Sequence, residues 1–286
     1  MAKSMIIEEL GEIVRIQTQK GSAVSFVKNS LKEYLQVYIL NYIYTSSRYK
    51  QALIFTGGTC LRHCYQLNRL SEDLDFDQKE IINSNQLRDD LYDYFTKKYL
   101  FKNLSISIKQ KGRQVLLKFP ILRELKLATN SESDLLYVKL DISLNESKNF
   151  KTQTTLSNLY GFSYIMLHYD LPTLMAGKIS AIFNRQRLWG QLNQETIKGR
   201  DYFDLLWYLD NQVEPNLKRI NDNLNEKISK KQLVERLTHK VSLATGKYKL
   251  DFKRDILPFI SNQSIIKNYL DSYEENYSLK VKYLLT

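Results

Sequence analysis

The chain has 286 residues, 43% hydrophobic and 26% charged, with a formal net charge of +11 from 42 basic and 31 acidic side chains. That length buries a large core in one or two domains, and the composition excludes a disordered or fibrous chain. No run of 18 or more apolar residues is present, which excludes a membrane-spanning helix of ordinary length. Acidic residues in MAKSMIIEELGEIVRIQ stand where a signal peptide needs an apolar core, so a cytoplasmic location is expected.

The first strong pattern is residues 22–47. Val24, Phe26, Val27, Leu31, Leu35, Val37, Tyr38, Leu40 and Tyr42 are dense enough to predict a well-buried helix. ALIFTGG, residues 52–58, is a short apolar run that ends on glycines and predicts a strand entering a turn. TCLRHCYQLN then predicts a helix from Thr59. Its two cysteines, Cys60 and Cys64, are four apart on one helical face, with His63 between them. That spacing makes neither a disulfide framework nor a zinc-knuckle pattern, so the cysteines are expected to be small packing residues in a reducing compartment.

DLDFD, residues 73–77, alternates polar and apolar with the period of a strand. Leu74 and Phe76 should face the core, and Asp73 and Asp75 the other side. A helix is predicted over 84–100, followed by strands LSISIKQ, RQVLLKF and LLYVKLDISLN. The last carries Leu136, Val138, Leu140 and Ile142 on one face and Tyr137, Lys139, Asp141 and Ser143 on the other. Between residues 97 and 130 nine cations (Lys97, Lys98, Lys102, Lys109, Lys111, Arg113, Lys118, Arg123 and Lys126) face one acid, Glu124. Such a segment suits a polyanion, and RNA is the partner expected. The 20 tyrosines add stacking surfaces, though most should be core or boundary residues.

From about residue 161 the pattern turns helical. After a strand at FSYIML, helices are predicted over 171–186, 199–211, 230–245 and 264–285, the first capped by Asp170 and opened by Pro172. Two domains are expected, residues 1–160 and 161–286. No repeat is evident, and residues 212–286 carry no recognisable motif.

The chemistry is predicted to gather at the glycine turn. Gly57 and Gly58, between a strand and a helix N-terminus, let backbone approach a ligand, and the first helical amides suit a phosphate. Thr59 adds a hydroxyl and Arg62 a cation. Asp73 and Asp75 are spaced about 6.5–7 Å apart along one strand face. Their mutual repulsion is relieved by a hard divalent cation, Mg²⁺ or Mn²⁺. Asp141 joins them if its strand lies alongside, and three carboxylates can hold two metals for phosphoryl or nucleotidyl transfer. Asp73 and Asp75 would bind the metal that bridges the triphosphate. Asp141 would serve a second metal or take the proton of the attacking hydroxyl. Ser71, two residues before Asp73, is within reach of a phosphate. Lys178 and Arg185, seven apart, share a helical face, and Asp201 and Asp204 are placed to orient Lys178.

Gly57, Gly58, Thr59, Leu61 and Arg62, followed by Arg69, Ser71, Asp73, Leu74, Asp75 and Phe76, resemble the signature of the AbiEii/AbiGii toxin family. The later stretches AGKISAIFNRQ, with Lys178 and Arg185, and KGRDYFDLLWYL, with Lys198, Arg200, Asp201 and Asp204, are similar to the family's downstream lysine helix and R-D-x-x-D-L motif. The likeness spans about residues 50–210. It implies an α+β fold: a polymerase-β-like nucleotidyltransferase core, a mixed sheet with flanking helices, and a helical C-terminal domain that completes the NTP and acceptor cleft. It implies NTP as substrate, Mg²⁺ or Mn²⁺ as cofactor, a cognate antitoxin protein and, in some members, transfer to the 3′ end of tRNA. Asp73, Asp75, Asp141, Lys178 and Asp201 would be catalytic; Gly57, Gly58, Thr59, Arg62, Ser71, Lys178 and Arg185 would bind the triphosphate. Gly-Gly-Thr stands where the wider superfamily has Gly-Ser, and Asp141 is matched by position alone. A protein or small-molecule acceptor, or a non-catalytic nucleic-acid-binding module, are the alternatives. The repelling pair Asp73/Asp75 argues against the last.

Overall fold

The computed structural model of the chain describes residues 5–145, 147–184, 187–189 and 194–285. In chain order the elements are α1 (Met5–Gln19), α2 (Val24–Thr45), β1 (Leu53–Thr56), α3 (Gly57–Tyr65), β2 (Asp73–Gln78), α4 (Ser84–Asp93), β3 (Ser105–Lys109), β4 (Gln114–Pro120), β5 (Leu135–Leu144), β6 (Thr152–Leu159) and β7 (Phe162–Tyr169). They continue with α5 (Leu171–Asn184), β8 (Arg187–Trp189), β9 (Gln194–Thr196), α6 (Gly199–Asp210), α7 (Leu217–Leu224), α8 (Lys230–Thr245), α9 (Lys249–Ile256), α10 (Ile266–Asp271) and α11 (Tyr273–Lys280).

The chain divides into two units, residues 1–145 with 152–168, and residues 146–151 with 169–286. The boundary expected at residue 160 falls instead inside the β6–β7 hairpin, whose turn, Tyr160–Gly161, has positive φ at both positions. Positive φ at both central residues is the mark of a tight two-residue hairpin. The predicted strand at FSYIML therefore belongs to the sheet of the first unit.

That sheet has seven strands in the order β3-β4-β5-β2-β1-β7-β6. It is mixed: β2 runs parallel to β5 and β1 parallel to β7, while β1–β2, β3–β4 and β4–β5 are antiparallel. β5 reads as predicted, with Leu136, Val138, Leu140 and Ile142 buried. Alternation also holds in β2, where Leu74 and Phe76 are buried and Phe76 stacks on Phe55 of β1. The strand β6 is absent from the sequence reading because TQTTLSNL lies on a sheet edge and is mostly exposed. An edge strand with little to bury carries no hydrophobic period.

Helix α2 is buried along most of its length, as an apolar surface on every side requires. Three of its polar side chains bond to other elements: Gln36 Nε2 donates to the Ser71 carbonyl (3.1 Å), Asn41 Nδ2 to Tyr94 Oη (2.8 Å) and Tyr44 Oη to the Leu167 carbonyl (2.9 Å). The helix predicted over 84–100 is α up to Asp93 and widens to a π turn over Tyr94–Lys98.

In the second unit, Asp170 caps α5 by accepting from the Thr173 amide at 3.0 Å. α5 packs on α6 and α7, and α6 on α9 and α11. Gly199 starts α6 with its Cα against the Phe252 backbone of α9, a contact that only hydrogen at Cα permits. Ser229 and Gln232 form a capping box at α8, which spans the predicted 230–245. The helix predicted over 264–285 is broken into α10 and α11 at Ser272, whose hydroxyl bonds back to the Asn268 carbonyl and competes with the helical ladder.

Candidate active site

The parallel register of β2 and β5 sets Asp75 against Asp141 and Asp73 against Lys139. Asp73, Asp75 and Asp141 thus share one sheet face on neighbouring strands, opposite the buried Leu74, Phe76, Leu140 and Ile142. Lys139, to which the sequence reading gave no role, bridges the cluster. Its Nζ lies 2.9 Å from Asp73 Oδ2 and 2.9 Å from Asp141 Oδ2. On the next strand Gln114, in register with Asp141, donates from Nε2 to Asp141 Oδ1 at 2.9 Å.

The electrostatics follow from this crowding. Burial raises the Asp73 carboxyl above its ordinary range, with Lys139 opposing the shift and Glu72 and Asp141 adding to it. Burial would lower the Lys139 ammonium, but its bonds to Asp73 and Asp141 outweigh that and hold it above the ordinary lysine range. Asp73, its folded value raised, favours the fold at low pH and loses that contribution as pH rises through the raised value. The donor set is three carboxylates, hard oxygen ligands of the type that Mg²⁺ and Mn²⁺ prefer. A cation already placed between two of them shows that positive charge fits there.

The glycine turn sits directly against this cluster. Gly57 has φ +75°, and a Cβ there would overlap the Asp75 carboxylate, standing 2.8 Å from its Cγ. A Cβ on Gly58 would stand 2.6 Å from a guanidinium nitrogen of Arg69 and 3.3 Å from Ser71 Oγ. The first position thus requires glycine for conformation and space, the second for space. Thr56 caps α3 without a side-chain hydrogen bond. Nothing from that residue covers the first amides of the helix, the arrangement that suits an anion.

Other predicted residues are placed differently. Thr59 is buried and its hydroxyl donates to the Asp73 carbonyl, tying α3 to β2, so it does not face the turn as a phosphate donor. Arg62 points to the other end of α3: its Nε meets Glu33 Oε1 at 2.6 Å and its Nη1 the Leu67 carbonyl at 3.0 Å. The guanidinium is thereby paired away from the turn, and Arg69, buried beside Gly58, is the cation found there instead. Ser71 precedes β2 rather than lying on it, but its hydroxyl still reaches Gly58.

In the second unit Lys178 of α5 lies 2.8 Å from Asp201 Oδ1 and 2.8 Å from Asp204 Oδ2 of α6. Both carboxylates are buried. The predicted orientation of Lys178 by this pair is a direct double ion pair. Arg200 turns instead to α9, where its Nε is 3.3 Å from Asp255 Oδ2 and its guanidinium stacks 4.1 Å from the Phe259 ring centre. Arg185 lies outside the described residues.

The family described as "Nucleotidyl transferase AbiEii toxin, Type IV TA system" matches residues 39–272. The chain belongs to the AbiEii nucleotidyltransferase toxin family. Transferase activity, and a partner antitoxin, follow from that AbiEii membership. Among solved structures the fold is similar to MenT4, nucleotidyltransferase toxin Rv2826c from Mycobacterium tuberculosis H37Rv, at 13% identity and a TM-score of 0.57 over 96% of this chain and 89% of that one. It is also similar to JHP933 from Helicobacter pylori, at 18% identity and a TM-score of 0.52 over 90% of this chain and 93% of that one. No curated protein matches the sequence. Among the described residues no helix is long and apolar enough to cross a membrane.

One substitution in each unit tests these geometries. Gly57→Ala meets both a positive φ, worth about 1–2 kcal/mol, and the Asp75 carboxylate. Gly161→Ala meets only the φ term, since nothing lies within 4 Å of its Cβ position. Denaturant unfolding should show the larger loss at Gly57, and transferase assays should show lost activity only there. Lys178→Ala removes the cation shared by two buried carboxylates and should cost about 3 kcal/mol of stability. Adding Asp204→Asn to that variant should recover part of the loss in the same unfolding measurement.

Proposed function

We propose that this protein is a metal-dependent nucleotidyltransferase toxin that transfers nucleotides from an NTP to RNA. The observation that carries this reading is the convergence of Asp73, Asp75 and Asp141 on one sheet face beside the Gly57–Gly58 turn. Asp73, Asp75 and Asp141 are the residues that would hold Mg²⁺ or Mn²⁺. Bound there, the cation would neutralise triphosphate charge and stabilise the charge that develops during transfer.

The chain's own groups then have separate tasks. The amides that open α3 receive phosphate oxygens, and Arg69 supplies positive charge under the turn. Asp141, held by Gln114, accepts the proton of the acceptor hydroxyl. That oxygen forms a bond to the α-phosphorus, the bond to the bridging oxygen breaks, and pyrophosphate leaves. Lys139 keeps the carboxylates from repelling one another before substrate arrives. In the second unit Asp201 and Asp204 fix the ammonium of Lys178.

RNA as the acceptor, with the 3′ end of tRNA its most specific form, is favoured by the basic segment. Lys109, Lys111 and Arg113 are exposed at the β3–β4 hairpin. They do not alternate on one sheet face, because Lys111 sits in the turn with φ 55°. Lys98 lies over the rings of Tyr94 and Tyr99, while Lys97 pairs with Asp93 and Arg123 holds backbone carbonyls of residues 129–132.

The decisive experiment incubates the protein with each labelled NTP, Mg²⁺ or Mn²⁺ and total RNA. Labelled RNA is expected, and Asp73→Asn or Asp75→Asn should lower the rate by about 10²–10³ or more. Both variants should remain folded by circular dichroism, since each removes a repelling charge. A folded Asp75→Asn protein with normal activity would sink the metal assignment. For acceptor binding, the affinity measured against salt should fall less steeply when Lys109, Lys111 and Arg113 are changed to glutamate. The log–log slope should diminish by about 2 if all three meet phosphates. Equal slopes would place the acceptor on another surface.

A further inference from the structure

Cys60, Cys64 and His168 come together along one face of α3, from its middle to its last turn. Their ligand atoms, two sulfurs and one ring nitrogen, all lie within 4.8 Å of one another. We propose that these three residues hold a thiophilic divalent cation of the zinc class, at a site separate from the carboxylates of β2 and β5.

The donor set is the first argument. Two thiolates and an imidazole are soft and borderline ligands, which select zinc over magnesium or calcium. Around a tetrahedral zinc ion, bonds of about 2.3 Å to sulfur and about 2.0 Å to nitrogen set the donors about 3.5–3.8 Å apart. The donors already lie within 4.8 Å of one another and reach that spacing by contraction. The fourth position falls to solvent or to the Tyr65 hydroxyl, 3.3 Å from His168 Nδ1.

The second argument is how the ligands are held. Cys60 and Cys64 are one helical turn apart on α3, their sulfurs within 4.8 Å of each other and of a ring nitrogen of His168. His168, wholly buried on β7, is oriented through Nε2. Thr155 Oγ1 of β6 meets Nε2 at 2.8 Å, and Tyr65 stands edge-on to the ring at 5.2 Å. Tyr65 in turn donates to Gln153 Oε1 at 3.0 Å. A ligating histidine ordinarily has its other nitrogen oriented in this way. Cys64 is half-buried and Cys60 buried, so an ion would enter past Cys64.

The third argument is topological. His168 is in register with Phe55 of β1, the strand that runs into the Gly57–Gly58 turn. An ion bound by α3 and β7 would clamp the helix whose N-terminal amides face the triphosphate. The clamp would fix the direction of those amides without touching substrate.

The test uses the full chain, reduced and stripped with a chelator, then titrated with Co²⁺ as an optical substitute for zinc. One equivalent should give tetrahedral d–d bands and a thiolate-to-cobalt charge-transfer band, which carboxylate ligation cannot produce. Zn²⁺ should bleach both and raise the midpoint of thermal unfolding. Cys64→Ser, nearly isosteric and half-exposed, should fold but lose the charge-transfer band and at least about tenfold in affinity. Thr155→Val should keep the band and weaken binding about 10–100-fold. Asp73→Asn should leave the band intact. Absence of the band in folded, reduced protein, its survival in Cys64→Ser, or its loss in Asp73→Asn would each overturn the proposal.

Discussion

Like charge held close on a rigid sheet is the constraint on which the first unit depends. Strands β2 and β5 run parallel in a register that holds Asp73, Asp75 and Asp141 on one sheet face. Neighbouring strands are about 4.8 Å apart, so the three carboxylates repel unless positive charge enters. Lys139 supplies part of it from within the same face, and a divalent cation would supply more. The surroundings accommodate this cluster. Gly57 has no side chain because Asp75 occupies that space, and Gly58 has none because Arg69 and Ser71 do. Thr59 ties the helix to the carbonyl of Asp73.

The sheet can carry such a cluster because its other face is conventional. Leu74, Phe76, Val138, Leu140 and Ile142 are buried, and α2 packs against β5. The polar groups of α2 bond to the loop at Ser71 and to β7. A helix that would otherwise be a featureless apolar rod thereby fixes the two segments flanking the turn. In the second unit the arrangement is inverted: one buried cation, Lys178, is shared by two buried carboxylates. A buried ion pair adds little net stability over apolar residues, so its value lies in fixing where the ammonium stands.

Helix α3 serves both ends of the first unit. Its N-terminal amides face the turn, Thr59 ties it to β2, and Cys60 and Cys64, one helical turn apart, meet His168. Arg62 leans outward to Glu33 and to the carbonyl of Leu67, where cation and helix C-terminus attract. Nine residues thus divide between anion binding, sheet attachment and thiol clustering.

Much of this was legible in the amino-acid order. The alternation of DLDFD and of LLYVKLDISLN determined both strands and the faces of their aspartates, because a strand's side chains alternate whatever surrounds it. The glycine pair after an apolar run determined the turn, and the motif as a whole determined the family. Three things were settled only by tertiary structure. Pairing of β2 with β5 is long-range, so neither the closeness of Asp141 nor the bridging role of Lys139 could be read from periodicity. Arg62 leaves the turn because Glu33, on a helix distant in sequence, attracts it, and Arg69, to which the order of residues gives no role, is buried beside Gly58. Helical spacing offers the cysteines only His63, their neighbour in the chain. The imidazole that meets them is His168, carried in by a parallel strand, since helical spacing fixes which side chains share a face but not what that face meets.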